Sequence, residues 1–244
     1  IFTFLKPAPP EWKAGLPGST SQPKDSTVKH KQAEVLKNPM IWMLALASAF
    51  MYISRYAVNS WGVYYFEIEK SYNIVTASTL VSVSSVCGIV GTVFSGLISD
   101  KMFRSNRTIP ACLSSLLNLA ALALFLFGPR QCEILDIISM ILFGISIGIL
   151  LCFLGGLMAI DIAPKEATGA AVGVIGIASY AAAGLQDVVS GFLIESRKAI
   201  VDGNPVYDFS AIRIFWLSAA LVSLLFLLII WGARKKHVSS NIHY

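Results

Sequence analysis

Arg55 lies near the middle of an apolar stretch, Met40 to Phe66, that is long enough to cross a lipid bilayer. As a helix the stretch would extend about 39 Å, against a hydrocarbon core of ~30 Å. A guanidinium group at that depth costs about 2.5–3.5 kcal/mol on insertion scales, so a chain keeps it where an anionic group meets it. We therefore predict that Arg55 binds an anionic substrate. The alternative is a structural arginine that pairs with a carboxylate on another helix.

The other residue types that could do chemistry form no catalytic or metal-binding pattern. The four cysteines are Cys87, Cys112, Cys132 and Cys152. Three of them fall inside apolar runs and none forms a CxxC pair, which favours small apolar side chains over redox or metal chemistry. The three histidines are His30, His237 and His243. None lies in a predicted span, so we expect no histidine proton relay, no enzyme activity, no metal and no cofactor.

The composition is typical of a membrane protein. Of the 244 residues, 55% are hydrophobic and 14% are charged, with a mean hydropathy of +0.68. A soluble domain is nearer 25% charged. The Lys and Arg residues lie almost wholly in predicted loops, where they set topology, so the net charge of +5 does not indicate a nucleic-acid partner.

Six spans are predicted, at residues 40–65, 74–98, 109–127, 134–162, 167–194 and 212–231. The fold class is therefore an all-α, polytopic membrane protein. In the second span, Gly88, Gly91 and Gly96 predict a tightly packed helix face. Thirteen of the 19 Lys and Arg residues fall in the segments between spans that we assign to the cytoplasm, and four fall in the outer loops. By the positive-inside rule, both ends of the bundle's chain are expected in the cytoplasm.

A polar segment rich in Pro, Gly, Ser and Lys precedes the first span, and its last part, residues 26–37, predicts a short surface helix. The opening residues look like the last turns of a preceding helix, so we expect a fragment of a longer protein. Residues 1–38 are then the end of that helix plus a cytoplasmic linker between bundles. Residues 39–233 form the six-helix bundle, and residues 234–244 form a cytoplasmic tail.

The loop after the second span carries a spaced motif, Gly96-x-x-x-Asp100-Lys101, followed by Arg104 and Arg107. Asp100 can cap a helix end, while the basic residues meet lipid phosphates and helix C-termini. A plain topogenic loop would explain the charges but not the spacing from glycine to aspartate. The motif resembles the loop that joins the second and third helices of each half of major facilitator proteins.

Longer matches resemble one branch of that superfamily, the organophosphate:phosphate antiporters, which include bacterial glycerol-3-phosphate and hexose-phosphate transporters. The matching segments are Tyr52-x-x-Arg55-Tyr56 with Trp61, Gly88-x-x-Gly91-Thr92, Asn106-Arg107, Asp161-x-Ala163-Pro164-Lys165 and Tyr180. The resemblance covers nearly all of the chain from Asn38 onward. It implies the C-terminal six-helix bundle of a major facilitator fold, with a missing N-terminal six-helix half as its partner.

The resemblance also implies roles for individual residues. Arg55 stands at the position of the family's substrate arginine, which binds the phosphoryl group; arginine suits this role because its planar fork matches phosphate oxygens. Tyr52 and Tyr180 match pocket tyrosines, with interfacial or packing tyrosines as the alternative. The implied partners are a phosphorylated small molecule, inorganic phosphate and membrane lipids, and the implied location is a prokaryotic inner membrane.

Three departures from the family pattern bear on the substrate. Ser85 stands where the family often has an acidic residue, and apolar residues 149–151 replace a Tyr-Gly-Pro segment of the glycerol-3-phosphate branch. Gln186 and Asp187 stand where small or apolar residues are usual. Asp187 could pair with Arg55, bind sugar hydroxyls or carry a proton. We expect an antiporter that exchanges organophosphate for phosphate; the alternatives are a hexose-phosphate sensor and a proton-coupled symporter of sugar acids.

Overall fold

A computed structural model describes residues 25–97, 107–201 and 204–240. Its helices are α1 (Asp25–Lys37), α2 (Pro39–Ile68), α3 (Ile74–Leu97), α4 (Thr108–Phe127), α5 (Glu133–Cys152), α6 (Met158–Ile162), α7 (Thr168–Ser196) and α8 (Ser210–Ser240). A π-helical turn, Phe153–Leu157, joins α5 to α6, and a 3-10 turn, Lys165–Ala167, precedes α7. The strands β1 (Lys198–Val201) and β2 (Asn204–Tyr207) pair antiparallel between α7 and α8.

Six helical segments are long and apolar enough to cross a membrane, which confirms the predicted all-α membrane class. They correspond to α2, α3, α4, α5 with α6, α7 and α8. The short helix predicted before the first span is confirmed as α1. The β1–β2 hairpin was not predicted, because two four-residue strands in a polar loop carry little periodic signal.

Helix starts are set by local capping. The Asn38 side-chain oxygen accepts a hydrogen bond of 2.9 Å from the backbone N–H of Met40, and Pro39 occupies the first turn of α2. At α8, the Asp208 carboxylate accepts hydrogen bonds from both the backbone N–H and the hydroxyl of Ser210, at 2.9 and 2.8 Å. These contacts satisfy donors that a helix N-terminus leaves unpaired and so fix where each helix begins.

Helices α3 and α5 pack backbone to backbone through glycine. A Cβ atom added at Gly91, Gly144 or Gly148 would collide with a carbonyl oxygen of the facing helix. Small residues allow this close approach, which is how membrane helices gain packing energy without a hydrophobic driving force. Gly96 does not belong to the packed face, because an added Cβ there would meet nothing within 4 Å. Our expectation for that residue was wrong: it lies one turn beyond the close contact.

Hydroxyl and amide groups join α2 to three other helices. The hydroxyls of Ser48 and Ser179 are 2.7 Å apart, across α2 and α7. Ser54 donates to the Asn118 side-chain oxygen at 3.1 Å, and Ser223 donates to the Ala47 carbonyl at 2.8 Å. Such contacts hold α2 in a fixed rotation and therefore determine which side chains it presents to the interior.

The spans differ in how far the rest of the bundle covers them, and α3 and α7 are covered least. In the most apolar 18-residue window, 67% of α2 is buried, compared with 28% of α3 and 22% of the α7 span. The exposed apolar residues of α3 include Val86, Ile89 and Val93, and those of α7 include Ile177 and Val188. A lipid phase or further helices would cover these two faces.

Candidate functional site

Arg55 lies halfway along α2 and is half-buried, with aromatic rings as its neighbours. The guanidinium carbon lies 5.5 Å from the ring centroids of both Tyr52 and Tyr56. An aromatic face attracts a cation through its quadrupole but leaves the positive charge uncompensated. In the part of the chain that the structure describes, no carboxylate lies within ion-pair distance of Arg55. The alternative of a structural ion pair is therefore not realised among these residues.

Tyr180 of α7 lies against the same aromatic group. Its ring centroid is 5.4 Å from that of Tyr52, with the rings edge to face at 72°. The Tyr180 side chain is 62% exposed, so its hydroxyl remains accessible. The structure thus brings together the arginine and both tyrosines that the sequence singled out. Their grouping depends on two parallel helices, α2 and α7, held in register by the contact between Ser48 and Ser179.

A cavity of about 350 Å³ adjoins Arg55. It lies between α2, α3 and α5, within the usual size range of small-ligand sites. Its polar lining residues besides Arg55 are Asn59, Ser84, Ser85 and Thr92. The sequence analysis did not assign these polar residues to a site. Asn59 could have been predicted as a neighbour of the site, since it lies four residues after Arg55 and therefore on the same helix face.

Asp187 lies on α7, seven residues beyond Tyr180 and on the same helix face. Its Oδ1 atom is buried and has no hydrogen-bond partner among the described residues. Of the three alternatives for this residue, the ion pair with Arg55 is not formed in this structure. Because a buried polar atom without a partner is costly, the other two, a ligand hydroxyl and a proton, remain as the hypotheses.

Two further buried polar atoms near Asp187 lack partners within the described segments, Oε1 of Gln186 and Nε1 of Trp61. A Cβ atom at Gly191 would lie 3.6 Å from the Trp61 ring, so this tryptophan packs one turn beyond Asp187 on α7. Native proteins leave few buried polar atoms unpaired, so these atoms are candidate contacts for a polar ligand.

The motif loop is described only at its two ends. Gly96 is the last residue but one of α3, whereas Asp100, Lys101 and Arg104 lie outside the described residues. Arg107 donates 2.8 Å hydrogen bonds to the Asp161 carboxylate and to the Leu157 carbonyl. Two motif segments recognised separately in the sequence are therefore in contact. With Lys165 and Arg234, this pair marks one end of the bundle, which we call the basic end.

The opposite end holds a buried ion pair that the sequence analysis missed. Lys70 and Asp136 are each 1% exposed and form a salt bridge. Tyr72 donates to the second Asp136 oxygen at 2.9 Å, and the Lys70 ammonium lies 5.7 and 5.6 Å from the Phe66 and Phe125 ring centroids. The sequence analysis counted Lys70 among the outer-loop residues, and it does lie in the connection between α2 and α3, but its side chain is buried in the bundle. The chain turns beside it at Ser71, whose φ is 60°.

A second charged group lies beside this pair. Glu69 forms salt bridges with Arg213 and with Arg130, and the contact with Arg130 is 3.1 Å long. Besides Arg55, Arg213 is the other positively charged residue within a predicted span. The Arg213 guanidinium also lies 5.8 Å from the Tyr65 ring centroid. Lys70, Arg130 and Arg213 therefore each have a carboxylate partner, in contrast to Arg55.

Metal and disulfide chemistry find no support in the described ranges. The four cysteines are free thiols. No group of three or more His, Cys, Asp or Glu side chains that could hold a metal ion occurs among residues 25–97, 107–201 and 204–240.

The helices and the site define an integral membrane protein with an uncompensated cation in its interior, and comparison with known families identifies the class. The family model of the Major Facilitator Superfamily matches residues 1–186. The chain therefore belongs to the Major Facilitator Superfamily.

Individual relatives narrow the resemblance. The chain is 29% identical over 225 residues to the glycerol-3-phosphate transporter of Bacillus subtilis, covering 89% of this chain and 48% of that protein. It is 30% identical over 187 residues to the membrane sensor protein UhpC of Escherichia coli, with coverages of 73% and 41%. It is 28% identical over 176 residues to the hexose-6-phosphate:phosphate antiporter of Salmonella typhimurium, with coverages of 71% and 35%.

These relatives confirm the resemblance to the organophosphate:phosphate antiporter branch. The chain spans less than half the length of each of them, and the matches fall in their C-terminal halves.

Proposed function

We propose that the chain acts as the C-terminal half of a secondary transporter that exchanges an organophosphate, such as a hexose phosphate or glycerol 3-phosphate, for inorganic phosphate. The main support is Arg55, a cation inside a membrane bundle. Two tyrosine rings lie beside it, and among the described residues no carboxylate is within ion-pair distance of it. The names of the relatives in Bacillus and Salmonella support the substrate class. In this proposal the chain moves its substrate across the membrane and catalyses no chemical reaction.

The Arg55 guanidinium would bind the phosphoryl group. Its planar fork can donate two parallel hydrogen bonds to phosphate oxygens, and each charge-assisted bond is roughly twice as strong as a neutral one. Tyr52 and Tyr56 hold the guanidinium in place without neutralising it. The adjoining cavity of about 350 Å³ leaves room for the remainder of a small substrate beside Arg55. Asn59 and Ser84 would offer hydrogen bonds there.

Alternating access needs a second bundle around the same site. Transporters of this class bind substrate near the midplane between two related halves, which rock against each other. The exposed apolar faces of α3 and α7 flank α2 and would supply the surface for the other half. An arginine from that half would complete a phosphate clamp with Arg55. Phosphate would offset the repulsion between the two arginines, so closure would require bound substrate and the cycle would be exchange only.

We place the protein in a bacterial plasma membrane with the basic end in the cytoplasm. Arg107, Lys165 and Arg234 lie at that end, and cytoplasmic loops of membrane proteins carry an excess of Lys and Arg. The bacterial origin of the named relatives supports the choice of membrane. The linker and the tail would then both be cytoplasmic.

A second candidate function rests on Asp187. Its buried, unpartnered Oδ1 favours either a hydroxyl of the substrate or a transferable proton. A proton would convert the exchange into symport of an organic anion, such as a sugar acid, whose carboxylate would meet Arg55. The relative in Escherichia coli, a membrane sensor protein, supports a third possibility in which the same site binds its ligand for signalling.

The test uses the full-length parent protein, purified and reconstituted into liposomes that are preloaded with phosphate. Uptake of radiolabelled phosphate is followed and then challenged with glucose 6-phosphate, glycerol 3-phosphate or a sugar acid. We expect saturable exchange that one of the phosphorylated compounds blocks and that a proton ionophore leaves unchanged.

The controls separate the alternatives. The same assay with Arg197→Lys, a surface arginine paired with Asp208, should give wild-type exchange. If phosphate or hexose phosphate raises the thermal stability of the protein but no exchange occurs, that result would contradict the transporter proposal and favour the sensor. Uptake of a sugar acid that collapses with the ionophore would instead favour symport through Asp187.

A further inference from the structure

A narrow apolar groove of about 250 Å³ lies between α4 and α8, near the basic end. Its lining residues are Ile109, Cys112, Leu113, Leu116, Leu224, Leu228 and Trp231. Leu113 and Leu116 are each 53% exposed, so the groove opens to the outside of the bundle. It shares no lining residue with the Arg55 cavity, and the transport proposal makes no use of it.

The depth of the groove matches part of one lipid leaflet. From Ile109 to Leu116 the helix rises about 10 Å, whereas one leaflet of a ~30 Å hydrocarbon core is about 15 Å deep. The groove begins at the start of α4, where the chain enters the membrane. Trp231 lies at the same level on α8, where tryptophan is favoured at the interface between lipid and water. The groove therefore extends over the two-thirds of the basic-end leaflet that lie nearest to the lipid headgroups.

A cation stands at the mouth of the groove. Arg234 follows Trp231 by three residues, and its Nη1 atom donates to the Thr108 hydroxyl at 3.3 Å, next to Ile109. Among the described residues, no carboxylate lies within ion-pair distance of Arg234. Arg107, by contrast, is already paired with Asp161. Lys235 and Lys236 are the next two residues in the sequence.

We propose that the groove holds one acyl chain of an anionic phospholipid whose phosphate group binds Arg234. The apolar lining accepts the hydrocarbon chain, and Thr108 holds the guanidinium where the headgroup phosphate would lie. Charge complementarity selects an anionic lipid over a zwitterionic one, because basic residues next to a membrane are stabilised by about 1 kcal/mol each near an anionic surface. The lipid would join α4 and α8 on a face that carries no transport residue.

The experiment places the full-length parent in vesicles of phosphatidylcholine and phosphatidylglycerol, one of which carries bromine at mid-chain. Bromine quenches tryptophan fluorescence on contact, and the difference from a Trp231→Phe variant isolates the signal of Trp231. We expect brominated phosphatidylglycerol to quench Trp231 at about a fivefold lower mole fraction than brominated phosphatidylcholine. That factor corresponds to about 1 kcal/mol for one arginine.

Two charge variants test the assignment. Arg234→Gln should remove the fivefold preference, while Lys236→Gln, which loses the same charge two residues away, should retain most of it. Equal quenching by the two lipids in the unmodified protein would overturn the proposal. So would a preference that survives Arg234→Gln, or one that both variants lose equally, because that outcome would indicate diffuse surface attraction.

A third variant tests the groove without altering charge. Cys112→Leu narrows the groove from the α4 side and should reduce the quenching of Trp231 by both brominated lipids. Quenching that is unchanged in a correctly folded Cys112→Leu protein, verified by its thermal unfolding, would contradict an acyl chain in the groove.

Discussion

Arg55 and Lys70 are two cations within the same bundle, one midway along α2 and one just after its end, and they differ in a single kind of neighbour. Each lies near two aromatic rings at between 5.5 and 5.7 Å. Lys70 also has the Asp136 carboxylate, which Tyr72 holds from its other side. Arg55 has no such anion among the described residues. The aromatic rings accommodate both cations, but only Lys70 is neutralised.

The difference separates a structural charge from one available to a ligand. A buried ion pair is weak evidence of net stabilisation, yet removing one partner is strongly destabilising because the other charge remains buried. An unpaired arginine at membrane depth costs free energy that a bound anion would offset. We therefore expect substitutions at Lys70 to act on folding and substitutions at Arg55 to act on phosphate binding. The following predictions test that division.

The largest effect should come from Lys70→Ala. It leaves the Asp136 carboxylate buried without a counter-charge, and we expect a loss of about 3–5 kcal/mol in the free energy of unfolding. Unfolding of the purified full-length protein in detergent would measure it. The double variant Lys70→Met with Asp136→Leu, which removes both charges, should recover most of the loss. A double variant as unstable as Lys70→Ala would show that packing, and not the unpaired charge, is responsible.

Arg55→Lys should show the opposite pattern. Lysine keeps the charge but cannot form the two-pronged contact, so about 1.5–3 kcal/mol of phosphate binding should be lost, or roughly 10- to 150-fold in affinity. Phosphate exchange should fall severely, while the unfolding midpoint should change little. Exchange and binding assays on the same preparation would check both. Near-normal exchange by Arg55→Lys would remove Arg55 from the phosphate site.

The aromatic neighbours of Arg55 should contribute less. Tyr52→Leu removes one of the two rings beside the guanidinium, and we expect phosphate binding to weaken by about 1–2 kcal/mol. Tyr52→Phe keeps the ring and should weaken binding less, by about 1 kcal/mol if the hydroxyl contacts the ligand. Titration with phosphate would separate ring from hydroxyl. If both variants bind phosphate normally, Tyr52 is a packing residue, the alternative that its interfacial chemistry left open.

The smallest effect concerns a charge outside the spans. Hydrogen bonds from the Ser210 backbone and hydroxyl, with Arg197 nearby, hold the pKa of Asp208 below its usual range. A carboxylate whose pKa is lowered in the folded state stabilises above the unfolded pKa of ~3.9 and loses that effect as the pH falls.

Asp208→Asn should therefore reduce stability at neutral pH by less than about 1 kcal/mol. The difference from the unmodified protein should shrink below pH ~4, and unfolding curves at several pH values would show it. A difference that grows on acidification would contradict this assignment.

The helices and part of the site could be predicted from the sequence. Apolar runs locate spans because a lipid phase forces the backbone to satisfy its own hydrogen bonds, so the spans were predictable within a few residues, except that α8 continues to Ser240, nine residues beyond the predicted end. Arg55 was visible as an unexpected charge, and its resemblance to a family motif brought in Tyr52 and Tyr180. Asp187 was visible in the same way, although its role remains a prediction.

The pair of Lys70 and Asp136 was not predictable in this way. The two residues are 66 positions apart, and neither has a distinctive local pattern. Lys70 lies in the connection between α2 and α3, and whether its side chain enters the interior depends on the turn at Ser71, which has a positive φ. The cavity beside Arg55 was missed for a similar reason, because Ser84 and Thr92 become lining residues only when α3 and α5 approach through glycine.

The π-helical turn Phe153–Leu157 determines the directions in which the side chains of the next helix, α6, point. Its marker is the hydrogen bond from the Met158 N–H to the Phe153 carbonyl, five residues back. Such a turn holds one residue more than an α-helical turn, so α6 is rotated by about 100° relative to a continuous helix. That rotation determines the direction of Asp161, and hence its contact with Arg107. Deleting a single glycine from the turn, Gly155 or Gly156, would keep both partners and yet point them apart: the ion pair is encoded by the length of the helix as much as by its charges.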